Sequence, residues 1–334
     1  MKVSVIGAGA FGTALATQLA RAGLPAARLP DGQGKAGNEV KIWVFEEKVR
    51  DEINNLHQNL TYLPDIKLPS GILATSDLKE AYDFSGVVFL APPFFALRKV
   101  LPKEGRGKTF ILVSKGIERE THKLANEIVE EVVEGKFKLA VMSGPSFAKE
   151  LAAGLDTKVL LASKNPESAK IIKGIIETKN FKVETSADLI GAELSGALKN
   201  VLAILTGMIE GAELGKNIRA AVFTEGLREM IKMGELMGAK KETFYTVAGL
   251  GDLFLTSTSD QSRNFTFGYR LGSGDNVKDA LKSKNVVEGA GTAESAYFLS
   301  KKLNLKAPLF YNVYAVIFEG KDPKRALEDI WNSI

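Results

Sequence analysis

The chain has 334 residues, 45% of them hydrophobic and 25% charged, and contains no cysteine. At about 150 residues per domain this length suggests two domains with cores that need no covalent staples. The composition excludes disulfides, thiolate zinc sites and a cysteine nucleophile, and fits a cytoplasmic location. The charge is a mild +4, from 44 basic and 40 acidic residues spread along the chain. This leaves no arm for nucleic acid but suits an anionic small molecule. No run of 18 apolar residues is present, so membrane insertion is not expected. The two histidines, His57 and His122, sit in no catalytic motif, and His122 reads as the start of a helix. So few histidines argue against a His–Asp proton relay and against a metal centre.

Lys2–Ile6 reads as a short buried strand. Gly7-Ala8-Gly9-Ala10-Phe11-Gly12 follows at once, and then an apolar helical pattern through Ala22. In that context each glycine has a task. Gly7 permits the tight turn, Gly9 lets a pyrophosphate approach, and Gly12 lets the helix pack on the strand. The helix N-terminus adds free N–H groups and the positive end of a dipole.

An acid for the adenosine ribose is expected about 20 residues on. That count lands near Asp31, in a Pro/Gly-rich stretch with no strand before it. The strand reads instead as Glu39–Phe45, ending in Glu46, which makes residues 24–38 an insertion. Phe45 and Glu46 are therefore placed at the adenosine. Glu46 favours a free 2′-hydroxyl, hence NAD, while the nearby Lys48 keeps NADP open.

Further strands are expected at Val87–Ala91, Phe110–Val113, Leu139–Met142 and Lys158–Ala162, with helices at Thr121–Glu134 and Pro166–Thr178. This is the pattern of a doubly wound, Rossmann-type α/β sheet. The loops after the strands carry Pro92-Pro93, Ser114-Lys115-Gly116 and Ser143-Gly144-Pro145-Ser146. The last of these is a tight turn leading into a helix. Lys115, between a strand end and a glycine, is a candidate site cation.

Asp188–Met208 reads as a long buried helix of small and aliphatic residues, interrupted by Lys199 and Asn200. An apolar surround lowers the pKa of a lysine into a range useful for proton transfer. The competing possibility is a lysine that snorkels to the surface. Beyond it lie helical patterns at 218–237, 242–247, 276–282, 290–303 and 308–319, so the second domain is expected to be all α. The domains are drawn at 1–185 and 186–334. Gly249-Leu250-Gly251-Asp252 reads as a flexible turn ending in a carboxylate. Gln261-Ser262-Arg263-Asn264 suits either a phosphate monoester, gripped by arginine, or a plain helix start with Ser262 as cap and Arg263 on the surface.

Taken together, VIGAGAFGTALA, SKGIE, SGPSFAKELAAG, ELSGALKNVLAI, AGLGDLFLTSTSDQSRNFTFG and VVEG resemble the NAD(P)-dependent glycerol-3-phosphate dehydrogenases of bacterial type. The resemblance runs from the first strand to Glu288. It implies a Rossmann domain, a helical substrate domain, a cytoplasmic homodimer, and interconversion of sn-glycerol 3-phosphate and dihydroxyacetone phosphate for phospholipid synthesis. It also implies that Lys199 is catalytic with Asp252 as its carboxylate. Lys115, Gly144, Ser146, Ser262, Arg263 and Asn264 would serve the substrate. Ala10, Phe11, Phe45, Ala148, Arg263, Val286 and Glu288 would serve the cofactor, beside Gly7, Gly9, Gly12, Glu46 and Lys115. The 24–38 insertion departs from typical members, and many relatives carry His or Arg where Phe45 and Glu46 stand. The alternative is a 3-hydroxyacid or 6-phosphogluconate-type dehydrogenase, which would show GxxxKxxxN, whereas this chain has Gly196-Ala197-Leu198-Lys199-Asn200. A nucleotide sensor without chemistry would be expected to lack Lys199 or Asp252.

Overall fold

The computed structural model describes residues 1–22, 37–282 and 287–334. Residues 24–36 of the expected insertion, and Val286, lie outside the described residues. The chain forms two compact units. One comprises residues 1–114, 126–142 and 146–187; the other comprises residues 115–125, 143–145 and 188–334.

The first unit is built on eight strands: β1 Lys2–Ile6, β2 Glu39–Trp43, β3 Ile72–Thr75, β4 Val87–Leu90, β5 Thr109–Leu112, β6 Lys138–Ser143, β7 Thr157–Ala162 and β8 Phe181–Ser186. Their spatial order is 3-2-1-4-5-6-7-8, and the pairs β1–β2, β2–β3, β1–β4, β4–β5, β5–β6 and β7–β8 are parallel. The order reverses between β1 and β4, where a doubly wound sheet opens a crevice at its strand ends. The central strands are apolar because helices cover both faces. Val3, Val5, Phe89 and Ile111 join Leu15 and Leu19 of helix Ala10–Arg21 in the core.

The edge strands β3 and β8 escape the sequence reading. ILAT is short, and FKVETS alternates apolar and polar residues because one face stays wet. The helix expected from Thr121 begins at Ala125, and His122 lies before it with φ of 59°. The left-handed backbone at His122 interrupts a helix there.

The second unit has no strand among the described residues after Ala187. Its centre is helix Leu189–Gly211, whose side chains are buried along almost the whole length. Asp188 caps it. Oδ1 accepts from Gly191 N at 2.9 Å, while Oδ2 accepts from Lys240 N and from the Thr243 hydroxyl. By length and composition this helix could cross a membrane, but Glu193, Lys199 and Asn200 interrupt its apolar residues and 94% of its most apolar window is buried within the fold.

Helix Arg263–Gly272 packs on the central helix with almost no separation. A Cβ at Gly207 would lie 2.1 Å from Phe265 O, and one at Gly211 2.0 Å from Tyr269 O. In return, a Cβ at Gly268 would lie 1.9 Å from Ile204 O and one at Gly272 2.1 Å from Met208 O. Two interlocked GxxxG stretches, GMIEG and GYRLG, therefore bring the backbones together and fix where residues 262–264 stand.

Candidate active site

In the first unit the turn after β1 is shaped by absent side chains. Gly7 has φ of 113°, and a Cβ there would stand 2.7 Å from Ala91 O. A Cβ on Gly12 would stand 2.0 Å from Gly7 O. At Gly9, by contrast, a Cβ would meet nothing within 4 Å. Gly9 is also the N-cap of helix Ala10–Arg21 and brings no side chain to satisfy the first amides. This open face above uncapped N–H groups fits the pyrophosphate of a dinucleotide.

At the end of β2, Trp43 stacks edge-on against Phe45, which is 80% exposed. Glu46 accepts a hydrogen bond from the Tyr62 hydroxyl at 2.6 Å. Lys48 approaches Glu52 at 3.8 Å. Ser146 and Ala148 belong to the same unit, with Ala148 opening the short helix Ala148–Ala153.

The second unit brings Lys115, Gly144, Lys199 and Asp252 together. Lys199, 6% exposed, donates to Asp252 Oδ1 at 2.5 Å and to Thr256 Oγ1 at 2.7 Å. Lys115 donates to Asp252 Oδ2 at 2.6 Å and to Gly144 O at 3.3 Å. The Thr256 hydroxyl donates to Asp252 O at 2.7 Å, so its lone pair is what faces Lys199. Lys199 is thus paired and buried, which rules out the snorkelling alternative. Two of its three protons are committed, and the third has no partner among the described residues. Burial pulls its pKa down to about 8, with Lys115 pulling the same way and Asp252 opposing. Two lysines against one carboxylate leave the cluster one positive charge in excess.

Asp252 does not end a flexible turn, as its two neighbouring glycines suggest. Residues 247–251 form a helical turn that runs directly into helix Asp252–Thr258. Gly249 is pressed against the backbone of Phe244, where a Cβ would lie 2.1 Å from Phe244 O. The carboxylate is therefore held on a rigid element.

A second group forms at the start of helix Arg263–Gly272. Ser262 Oγ accepts from Phe265 N at 3.2 Å as the N-cap, and Arg263 is exposed. Asn264 Oδ1 accepts from Gly289 N at 2.9 Å, joining this start to that of helix Glu288–Lys302. The Asn264 amide nitrogen is the donor that remains for a ligand. Ser262 is thus the helix cap of the second alternative read from the sequence, and Asn264 adds a structural link that the sequence did not suggest.

Sequence reasoning missed four residues that shape these sites: Thr256, Gly196, Asn59 and Tyr62. Thr256 stands four residues after Asp252, the spacing that puts two side chains on one helix face.

A family model for the NAD-dependent glycerol-3-phosphate dehydrogenase N-terminus matches residues 2–169, and one for the C-terminus of the same enzymes matches residues 188–328. The chain belongs to this family. It is 39% identical over 336 aligned residues to a glycerol-3-phosphate dehydrogenase [NAD(P)+] of Staphylococcus haemolyticus, covering 98% of this chain and 97% of the relative. The crystal structure of glycerol-3-phosphate dehydrogenase from Coxiella burnetii superposes with a TM-score of 0.89 at 34% identity. That match covers 99% of this chain and 98% of the other. A D-mandelate dehydrogenase, at 15% identity and a TM-score of 0.59 over 98% of this chain and 100% of the other, shares the fold alone.

Proposed function

We propose that this chain interconverts sn-glycerol 3-phosphate and dihydroxyacetone phosphate, with Lys199 as the acid and base and Asp252 as its fixed counter-charge. The observation that carries this reading is the buried lysine bonded to Asp252 and Thr256, with one proton uncommitted. NAD(P)H, when bound, would supply a hydride for carbon 2 of the ketone. Lys199, as ammonium, donates its remaining proton to the carbonyl oxygen and stabilises the alkoxide as it forms. In the reverse direction the neutral amine takes the proton from the alcohol. Asp252 orients Lys199 and offsets its charge, and Thr256 fixes its direction. Lys115, held by Asp252 and Gly144 O, adds positive charge for the anionic substrate.

Arg263 and the Asn264 amide are assigned the substrate phosphate, with Ser262 as their support, and Gly144 and Ser146 are assigned to the substrate as well. Gly7, Gly9, Ala10, Phe11 and Gly12 hold the pyrophosphate in this reading, and Phe45 and Glu46 the adenosine. Ala148, Arg263 and Glu288 complete the cofactor contacts. NAD is preferred over NADP because the Glu46 carboxylate repels a 2′-phosphate, and Lys48 leans toward Glu52. A homodimer, a cytoplasmic location and a role in making phospholipid precursors belong to the same proposal.

The test is oxidation of NADH and NADPH with dihydroxyacetone phosphate, against reduction of NADP by 6-phosphogluconate. Turnover with the triose phosphate alone is expected. Lys199→Met should lower kcat by roughly 10² to 10⁴ while NADH still binds. Substantial turnover by that variant rejects the assignment of Lys199. Arg263→Ala should raise KM for the phosphate substrate, and an unchanged KM rejects the phosphate role.

A further inference from the structure

Coenzyme choice in a dinucleotide-binding fold depends on two places at once, the glycine loop that takes the pyrophosphate and the acid that meets the ribose. In this chain those places are Gly7–Gly12 and Glu46, and they lie on different connections of the sheet. A third segment joins them. Asn59 is fully buried. Its Nδ2 donates to Ala8 O at 2.9 Å and to Thr13 Oγ1 at 2.8 Å, gripping the glycine loop and the first turn of its helix. Its Oδ1 accepts from Tyr62 N at 2.9 Å. The backbone at Leu60 is tied separately, since Leu60 N donates to Glu52 Oε2 at 3.1 Å. The Tyr62 hydroxyl then donates to Glu46 Oε1 at 2.6 Å.

We propose that Asn59 and Tyr62 are positioning residues for coenzyme selection, clamping the exposed Glu46 carboxylate in fixed register with the phosphate-binding loop. This rests on the reading of Glu46 as the acid that disfavours a 2′-phosphate. An unrestrained glutamate at an exposed strand end can turn into solvent and give way to a phosphate, so its discrimination is weak. The Tyr62 hydrogen bond restrains Oε1 and leaves Oε2 as the acceptor for the ribose hydroxyls. The hydrogen bond and burial push the Tyr62 pKa up to about 12, so the phenol stays protonated and donates at every working pH.

The experiment measures dissociation constants of NADH and NADPH by fluorescence titration on the full chain, for wild type, Glu46→Gln, Tyr62→Phe and the double variant. Tyr62→Phe removes one exposed oxygen and should fold as wild type does. It is expected to lower the ratio of the NADPH to the NADH dissociation constant roughly 3- to 10-fold, the span of one net hydrogen bond. In the Glu46→Gln background it should change the ratio no further. An unchanged ratio in Tyr62→Phe, or an equal shift with and without Glu46, overturns the clamp while leaving the selectivity role of Glu46 standing. An unchanged ratio in Glu46→Gln removes that role, and the clamp with it.

Discussion

Gly196 and Lys115 are in contact through an absence. A Cβ on Gly196 would lie 3.2 Å from Lys115 Cγ and 3.4 Å from Cδ, and 2.8 Å from Ser143 Oγ. The bare backbone of the central helix, one turn before Lys199, is thus the floor along which the Lys115 stem reaches Asp252. Gly196→Ala is expected to displace Lys115 and cost roughly 10- to 100-fold in kcat/KM. Adding Ser143→Ala removes the tightest of the new contacts and should restore part of the loss. Steady-state kinetics on the two variants check this; an active Gly196→Ala enzyme refutes the packing argument.

The pH dependence follows from Lys199. Ketone reduction uses its ammonium, so that rate should hold at low pH and fall as pH rises through about 8. Alcohol oxidation uses the neutral amine and should rise through the same value. Asp252 holds the pKa up against burial, so Asp252→Asn should move both inflections to lower pH. Inflections that stay in place, measured in both directions, would show that another group controls the profile.

The interlocked glycines predict a stability effect. A Cβ at Gly268 meets Ile204 O at 1.9 Å, which is backbone and cannot turn aside. Gly268→Ala should force the two helices apart at a cost of about 1–3 kcal/mol, the usual range for overpacking. Thermal unfolding reads the loss. KM for the phosphate substrate should rise as well, because the start of helix Arg263–Gly272 moves with the helix.

Glu229 gives a second pH effect, on stability. This buried carboxylate accepts from Leu309 N at 3.0 Å and from Phe310 N at 3.3 Å, capping helix Pro308–Phe318. Burial pushes its pKa up to about 7 from the usual 4.5, against the pull of the two amides and Lys232 and with a small push from Glu225. The folded state therefore holds the proton more tightly than the unfolded state. The resulting stabilisation is complete below about 4.5 and is lost as pH rises through about 7. Relative to Glu229→Gln, the wild type should lose up to about 1.4 kcal/mol per pH unit across that window. Parallel denaturation curves at pH 5, 6 and 7 for the two proteins would overturn this.

The features legible in the sequence are those set by short-range patterns. The strand, glycine turn and helix at residues 2–21 are contiguous, and their geometry follows from local backbone chemistry. Lys199 was conspicuous because a lone cation in a helix of small and aliphatic residues is costly to bury and must be compensated. Spacing and composition do not show what compensates it; only the family resemblance points to Asp252. Asp252 is 53 positions away, and its flanking glycines suggested a flexible turn, although one of them is packed against Phe244. Thr256, the Asn59–Tyr62 bracket and the link from Asn264 to Gly289 are likewise products of long-range packing. Hydrophobic periodicity determines which faces are buried and so the class of fold. Which polar atoms then meet within 3 Å depends on how closely the helices approach, and here that distance is set by glycines on both sides of one interface.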